Sequence, residues 1–133
     1  MTPYFFIQLK NLLKTKEKVH CLTRIRILSG DQIALGPGKV SLLEEIDRSG
    51  SISKAALNLG LSYRRAWNLV DTMNKNFISS LVTSSTGGKK GGGAYLTPLG
   101  LKMTKTYRAM EKKAEKSLQE NWKTIKRSLK QPD

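Results

Sequence analysis

Lys89 and Lys90 stand side by side in the run Thr86, Gly87, Gly88, Lys89, Lys90, Gly91, Gly92, Gly93. Glycine lets a backbone approach a phosphate chain closely and offers bare N–H donors, and the paired ammonium groups add charge. Upstream, Ser62, Tyr63, Arg64, Arg65 and Asn68 lie within seven residues of one another. Arginine can fork onto guanine O6 and N7 and asparagine onto adenine N6 and N7, with about 1 to 3 kcal/mol of discrimination per good pair. Ser51, Ser53 and Lys54, at the head of the preceding segment, complete the candidate DNA-binding set. The bland alternative is a solvated helix face and a flexible loop.

Other chemistries fit less well. A nucleotide-binding P-loop needs Gly-Lys followed by Ser or Thr and an immediate helix, whereas Lys89 is followed by Lys90, three glycines and a strand-like segment. The only histidine, His20, adjoins the only cysteine, Cys21. On a strand, neighbours point to opposite faces, so the two cannot easily form a dyad. His20 reads as structural and Cys21 as a small buried hydrophobe. One cysteine excludes an internal disulfide and any multi-cysteine metal site. No enzyme activity, metal or cofactor is expected.

The elements that must hold these residues follow from periodicity. Val19, Cys21, Thr23, Ile25 and Ile27 alternate with His20, Leu22, Arg24, Arg26 and Leu28, which predicts a strand. Ser29 to Asp31 turns the chain, Gln32 to Leu35 returns it, and Gly36-Pro37-Gly38 ends the hairpin. Residues 39–50 place Val40, Leu43 and Ile46 on one helical face, with Gly50 as the stop. Residues 51–60 follow, capped by Ser51 or Ser53, with Ala55, Ala56 and Leu59 inward and Gly60 as the stop. Ser62 caps a third helix running to Phe77, whose apolar face is read as Tyr63, Ala66, Trp67, Val70, Met73 and Phe77. Trp67 is thereby assigned to the core. A small residue four before a turn glycine, between two short helices, is the helix-turn-helix arrangement. Two β-prone segments around the glycine-lysine loop then make a wing.

Thr97 and Pro98 open a last helix with no further proline until Pro132. Met103, Tyr107, Met110, Ala114, Leu118, Trp122, Ile125 and Leu129 recur at helical spacing. The stripe is longer than a domain of this size can cover, which predicts a homodimer seam. At the other end Phe5, Phe6, Leu9, Leu12 and Leu13 predict a short amphipathic helix that packs on the domain or a second subunit. The chain carries 24 Lys and Arg against 10 Asp and Glu, a net charge of +14 that draws it to polyanions. With no secretory signal and no apolar run of spanning length, a cytoplasmic location without membrane attachment is expected.

The string from Gly36 to Phe77, with Gly50-Ser-Ile-Ser, Leu61-Ser-Tyr-Arg-Arg-Ala-Trp67 and the downstream Thr86-Gly-Gly, Gly91-Gly-Gly-Ala and Leu96-Thr97, resembles the N-terminal DNA-binding domain of the molybdate-responsive ModE family of bacterial transcription regulators. The resemblance covers roughly residues 24 to 110. It implies a winged helix-turn-helix related to the LysR type, dimerised through long helices on a palindromic operator. Recognition roles would then fall on Ser62, Tyr63, Arg64, Arg65 and Asn68, and wing roles on Thr86 to Gly93. Longer members of the family carry β-rich molybdate-binding domains after this region. The sequence given ends at Asp133, so it resembles the shorter members, and molybdate binding is not expected.

The expected fold class is mainly α with small β hairpins, a winged helix-turn-helix with a long C-terminal dimerisation helix. The segments are 1–18, 19–97 and 98–133. The expected function is a sequence-specific, double-stranded DNA-binding transcriptional regulator, with helix 62–77 in the major groove and the wing 86–93 on the backbone or minor groove. The alternative is a non-specific architectural or RNA-associated basic protein.

Overall fold

The computed structural model describes residues 18–85 and 93–133. The expected amphipathic helix over Phe5 to Leu13 lies outside the described residues, as does the loop from Thr86 to Gly92. In chain order the elements are β1 (Ile27–Ser29), β2 (Gln32–Leu35), α1 (Pro37–Ser49), α2 (Ile52–Leu59), α3 (Tyr63–Asn76), β3 (Val82–Ser85), β4 (Gly93–Leu96) and α4 (Pro98–Ser128). The two sheets are antiparallel hairpins, β1 with β2 and β3 with β4. Together with the three short helices and the long one, they form a winged helix-turn-helix.

The helix ends follow local chemistry. Pro37 opens α1, where its missing N–H would have had no partner anyway. The helix stops at Gly50, which takes a left-handed φ of 71° and donates its N–H to the Ile46 carbonyl at 2.8 Å. Ser51 caps α2 by accepting the Lys54 N–H at 3.2 Å, and Ser62 caps α3 by accepting the Arg65 N–H at 3.0 Å. Between them Gly60, at φ 69°, reverses the chain so that the Leu61 N–H reaches the Ala56 carbonyl at 2.9 Å. Ala55, Ala56 and Ala66 are buried, and these small side chains let α2 lie close to its neighbours.

The core gathers Val40, Leu42, Leu43 and Ile46 of α1 with Val70 and Met73 of α3, Leu81, and Tyr107 of α4. Burying side chains of this size stabilises by about 1.5 to 3 kcal/mol each before entropy is counted. Several expectations need correction, among them Tyr63, which was read on the apolar face of α3 and is 56 % exposed. The strand begins at Ile27, because β2 is only four residues long and offers no ladder to residues 19–26. Thr23 and Ile25 are half-buried while Arg24 and Arg26 are exposed, so the alternation continues upstream of β1 without a partner strand. Cys21 is exposed, not buried. Trp67 is 48 % exposed, because the buried stripe of α3 centres on Ala66, Val70 and Met73 and Trp67 stands a quarter-turn away.

Two contacts seat α4. Arg108 donates to Glu44 at 2.6 Å and to the Ser41 hydroxyl at 2.9 Å, both on α1, and to Glu111 at 2.6 Å on its own helix. Tyr107, 1 % exposed, donates its hydroxyl to the Ile25 carbonyl at 2.7 Å. Tyr107 therefore belongs to the core of its own chain and not to a surface seam, and Met103 packs against the same core.

Where the wing meets α4 the backbone is crowded. Thr97 accepts the Gly100 N–H at 3.0 Å, and its own N–H donates to the Leu81 carbonyl at 2.9 Å. A Cβ on Gly100 would lie 2.2 Å from that carbonyl oxygen. Gly100→Ala must push two backbones apart and should lower unfolding free energy by about 2 to 3 kcal/mol, measured by urea denaturation. An unchanged midpoint would contradict the close approach.

Candidate nucleic-acid interface

The side chains of α3 that face away from the core fall into three rows, set by the 100° step of the helix. Arg64 and Asn68 are one turn apart and point directly outward, with Lys75 continuing the row. Asp71, the only carboxylate on this helix, is bound by Lys75 at 2.8 Å. Arg65 begins a second row on one flank. Tyr63 and Trp67 begin a third on the opposite flank, which ends at Asn74. All five of Tyr63, Arg64, Arg65, Trp67 and Asn68 are exposed.

Asn74 decides what that third flank faces. Its Oδ1 accepts the Leu81 and Val82 N–H groups at 2.8 and 3.1 Å, and its Nδ2 donates to the Val82 carbonyl at 3.1 Å. The side chain thus replaces a strand partner for the first residues of β3. The wing root is held against α3, and the Tyr63–Trp67 flank looks toward it. The sequence signal for Asn74 was weak, since an asparagine late in a helix reads as surface.

The opposite flank holds a cation that sequence reasoning missed. Lys39 sits in the first turn of α1, where the helix dipole disfavours a positive charge. Its ammonium donates to the Ile33 carbonyl. Burial lowers its pKa, and the nearby charge of Arg65 lowers it further. Two cations thus lie near each other along this flank. The anomalous lysine in Gly36-Pro37-Gly38-Lys39 was the signal that could have found it.

The remaining expected residues divide. The hydroxyls of Ser51 and Ser62 already accept backbone N–H groups as caps, whereas Ser53 and Lys54 are exposed. Thr86, Gly87, Gly88, Lys89, Lys90 and Gly91 lie outside the described residues. The described part of the wing pairs Thr83 with Tyr95 and Ser85 with Gly93. Tyr95 is exposed, with its hydroxyl 3.2 Å from that of Ser85, and no sequence reading had singled it out. Beneath, Glu45 accepts from Arg48 at 2.5 Å and from Asn58 at 3.1 Å, linking α1 to α2. The Arg48 hydrogen bond lowers the Glu45 pKa.

On α4, Met110, Leu118 and Ile125 are exposed, as is Leu129 just past its end, while Ala114 and Trp122 are half-buried. Lys105, Lys112, Lys116 and Lys123 occupy the other side of the helix. Among the described residues no group of three or more His, Cys, Asp or Glu could hold a metal ion. No helix among them is long and apolar enough to cross a membrane.

This fold, with exposed cations and an amide on the second helix of the turn, defines the class as a winged helix-turn-helix. No family model matches the chain. It is 49 % identical over 77 residues to the molybdenum-pterin-binding protein MopB of Rhodobacter capsulatus, covering 58 % of this chain and 28 % of that one. It is 41 % identical over 90 residues to the molybdenum transport protein ModE of Azotobacter vinelandii, covering 68 % and 33 %. Against the DNA-binding transcriptional dual regulator ModE of Escherichia coli the identity is 45 % over 71 residues, covering 53 % and 27 %. The chain therefore spans about a third or less of the length of these relatives. A mutant of ZitR of Lactococcus lactis matches in fold, with a TM-score of 0.50 at 15 % identity over 90 % of this chain and 84 % of that one. The resemblance to ModE proteins is thus supported, and the relatives' names are those of regulators and molybdenum proteins, in line with the expectation of no enzyme.

Asn74→Ala leaves two backbone N–H groups at the wing root without their acceptor. It should lower stability by about 1 to 3 kcal/mol and raise amide exchange at Leu81 and Val82 first. Exchange that rises uniformly over the chain would show that Asn74 does not anchor the wing.

Proposed function

We propose that the chain is a sequence-specific, double-stranded DNA-binding transcription regulator that acts as a homodimer on a palindromic site. The observation that carries this reading is the outward row of α3. Arg64 and Asn68 are the side-chain types that read guanine and adenine edges, they are exposed near the helix N-terminus, and the only carboxylate on the helix is held by Lys75. Arg65 with Lys39 would grip a phosphate on one side, and Ser53 and Lys54 would do so at the head of α2. Tyr63 would touch the backbone or groove wall. Residues 86–93 would serve as the wing, with Lys89 and Lys90 supplying charge. The relatives named as DNA-binding regulators support the same reading.

The segment boundaries 1–18, 19–97 and 98–133 are part of this proposal. The second subunit would dock on the α4 stripe formed by Met110, Ala114, Leu118, Trp122 and Ile125, with Met103 at its inner end. A second reading, a non-specific architectural or RNA-associated protein, draws on the lysines of α4, which need no base contacts to hold a polyanion. The absence of molybdate binding gains no support from relatives named for molybdenum, and equilibrium dialysis with molybdate tests it directly.

Selection of a random duplex library on the purified protein decides between the two readings. An enriched inverted repeat with half-sites about one helical turn apart supports the regulator, and Arg64→Ala or Asn68→Ala should relax particular positions within it. Retention without enrichment supports the non-specific protein. Lys39→Gln should act with opposite signs on stability and binding. Below the lysine's depressed folded pKa the charge is unfavourable in the folded state, so its removal should leave the urea midpoint level or raised. Duplex affinity should fall severalfold and the salt slope by about one.

A further inference from the structure

Tyr63 and Trp67 are 56 % and 48 % exposed, one turn apart on the flank of α3 that faces the wing root. Two aromatic rings left in water forgo the burial each could contribute, and adjacent exposed apolar groups mark a contact surface. The surroundings select the partner. Arg64 and Asn68 border the strip directly, Lys75 continues their row, and the one carboxylate of the helix, Asp71, is already held by Lys75. An apolar protein surface docked here would have to bury the Arg64 guanidinium and the Asn68 amide without partners, which is costly. A duplex would offer both of them acceptors.

We propose that Tyr63 and Trp67 form an apolar strip that receives thymine C5-methyl groups in the major groove, beside the Arg64–Asn68 row. The inference rests on the duplex-DNA reading above. Thymine shows the groove one acceptor and one methyl, and the methyl is the only apolar feature a base edge presents there. A strip of two rings about 6 Å apart along the helix, four residues at 1.5 Å each, is long enough for one or two neighbouring thymines in each half-site. Arginine and asparagine read guanine and adenine, so the strip supplies the missing contact to the strand opposite adenine. Trp67 becomes a specificity-determining residue, and its failure to enter the core has a purpose.

The test replaces each thymine of the selected duplex, one at a time, with deoxyuridine, which removes only the methyl. The expected result is one or two positions per half-site where affinity falls about threefold to fivefold, the size expected for one methyl group. Trp67→Ala should abolish the penalty at those positions, and Trp67→Phe should retain part of it. Thermal unfolding of the free variants controls for folding, and a half-exposed side chain should shift it little. As a second readout, in a Trp122→Phe background Trp67 is the sole indole, and its fluorescence should change on addition of the duplex. A wild-type protein indifferent to deoxyuridine, or a Trp67→Ala variant that keeps the full penalty, overturns the strip while leaving the duplex reading intact. A library that yields no enriched duplex overturns both.

Discussion

The carbonyl of Leu81 is the point on which the arrangement turns. It accepts the Thr97 N–H at 2.9 Å and the Thr97 hydroxyl at 3.3 Å, and it leaves no room for a side chain on Gly100. The same residue donates its N–H to Asn74. Thus one peptide segment, with a fully buried leucine side chain, joins the end of α3, the root of the wing and the start of α4. Such backbone groups cannot be left unpaired in the interior without a large penalty, so the three elements are held in one relative geometry.

From that junction the functional surface follows. The wing root is fixed to α3 on one side, while α1 presents Lys39 on the other. Arg108 clamps α4 to α1 through Glu44 and Ser41, so the long helix departs in a defined direction. Two of its three acids sit beside cations of the same helix, Glu111 on Arg108 and Glu120 near Lys123. Lys105, Lys112, Lys116 and Lys123 of that helix are exposed.

Much of this was legible because it is local. Gly50 and Gly60 ended their helices and Ser62 and Thr97 capped theirs, since capping and left-handed turns involve only a few consecutive residues. The outward row of Arg64 and Asn68 followed from helical period alone. What failed was tertiary. Alternation from Val19 to Ile25 read as a strand, but a strand needs a neighbour, and β2 is too short to reach it. Trp67 looked like core because its composition outweighed its angle, whereas the crossing of α2 favours the small Ala66 at the centre of the buried face. Tyr107 was read as seam, and its burial and the long-range hydrogen bond to Ile25 reveal its part in the core. Asn74 and Lys39 depend on partners far away in sequence or on an adverse electrostatic position, which periodicity does not report.

The central claim is that α3 reads base edges and the surrounding cations only position it. The most direct test is the salt dependence of affinity for the enriched duplex and for a scrambled one of equal length. Phosphate contacts give both the same slope against log salt, while base contacts add a term that salt barely changes. The account predicts two parallel lines separated by at least about a thousandfold in affinity. Lines that coincide across the whole range would contradict it and leave a basic surface without a sequence to read.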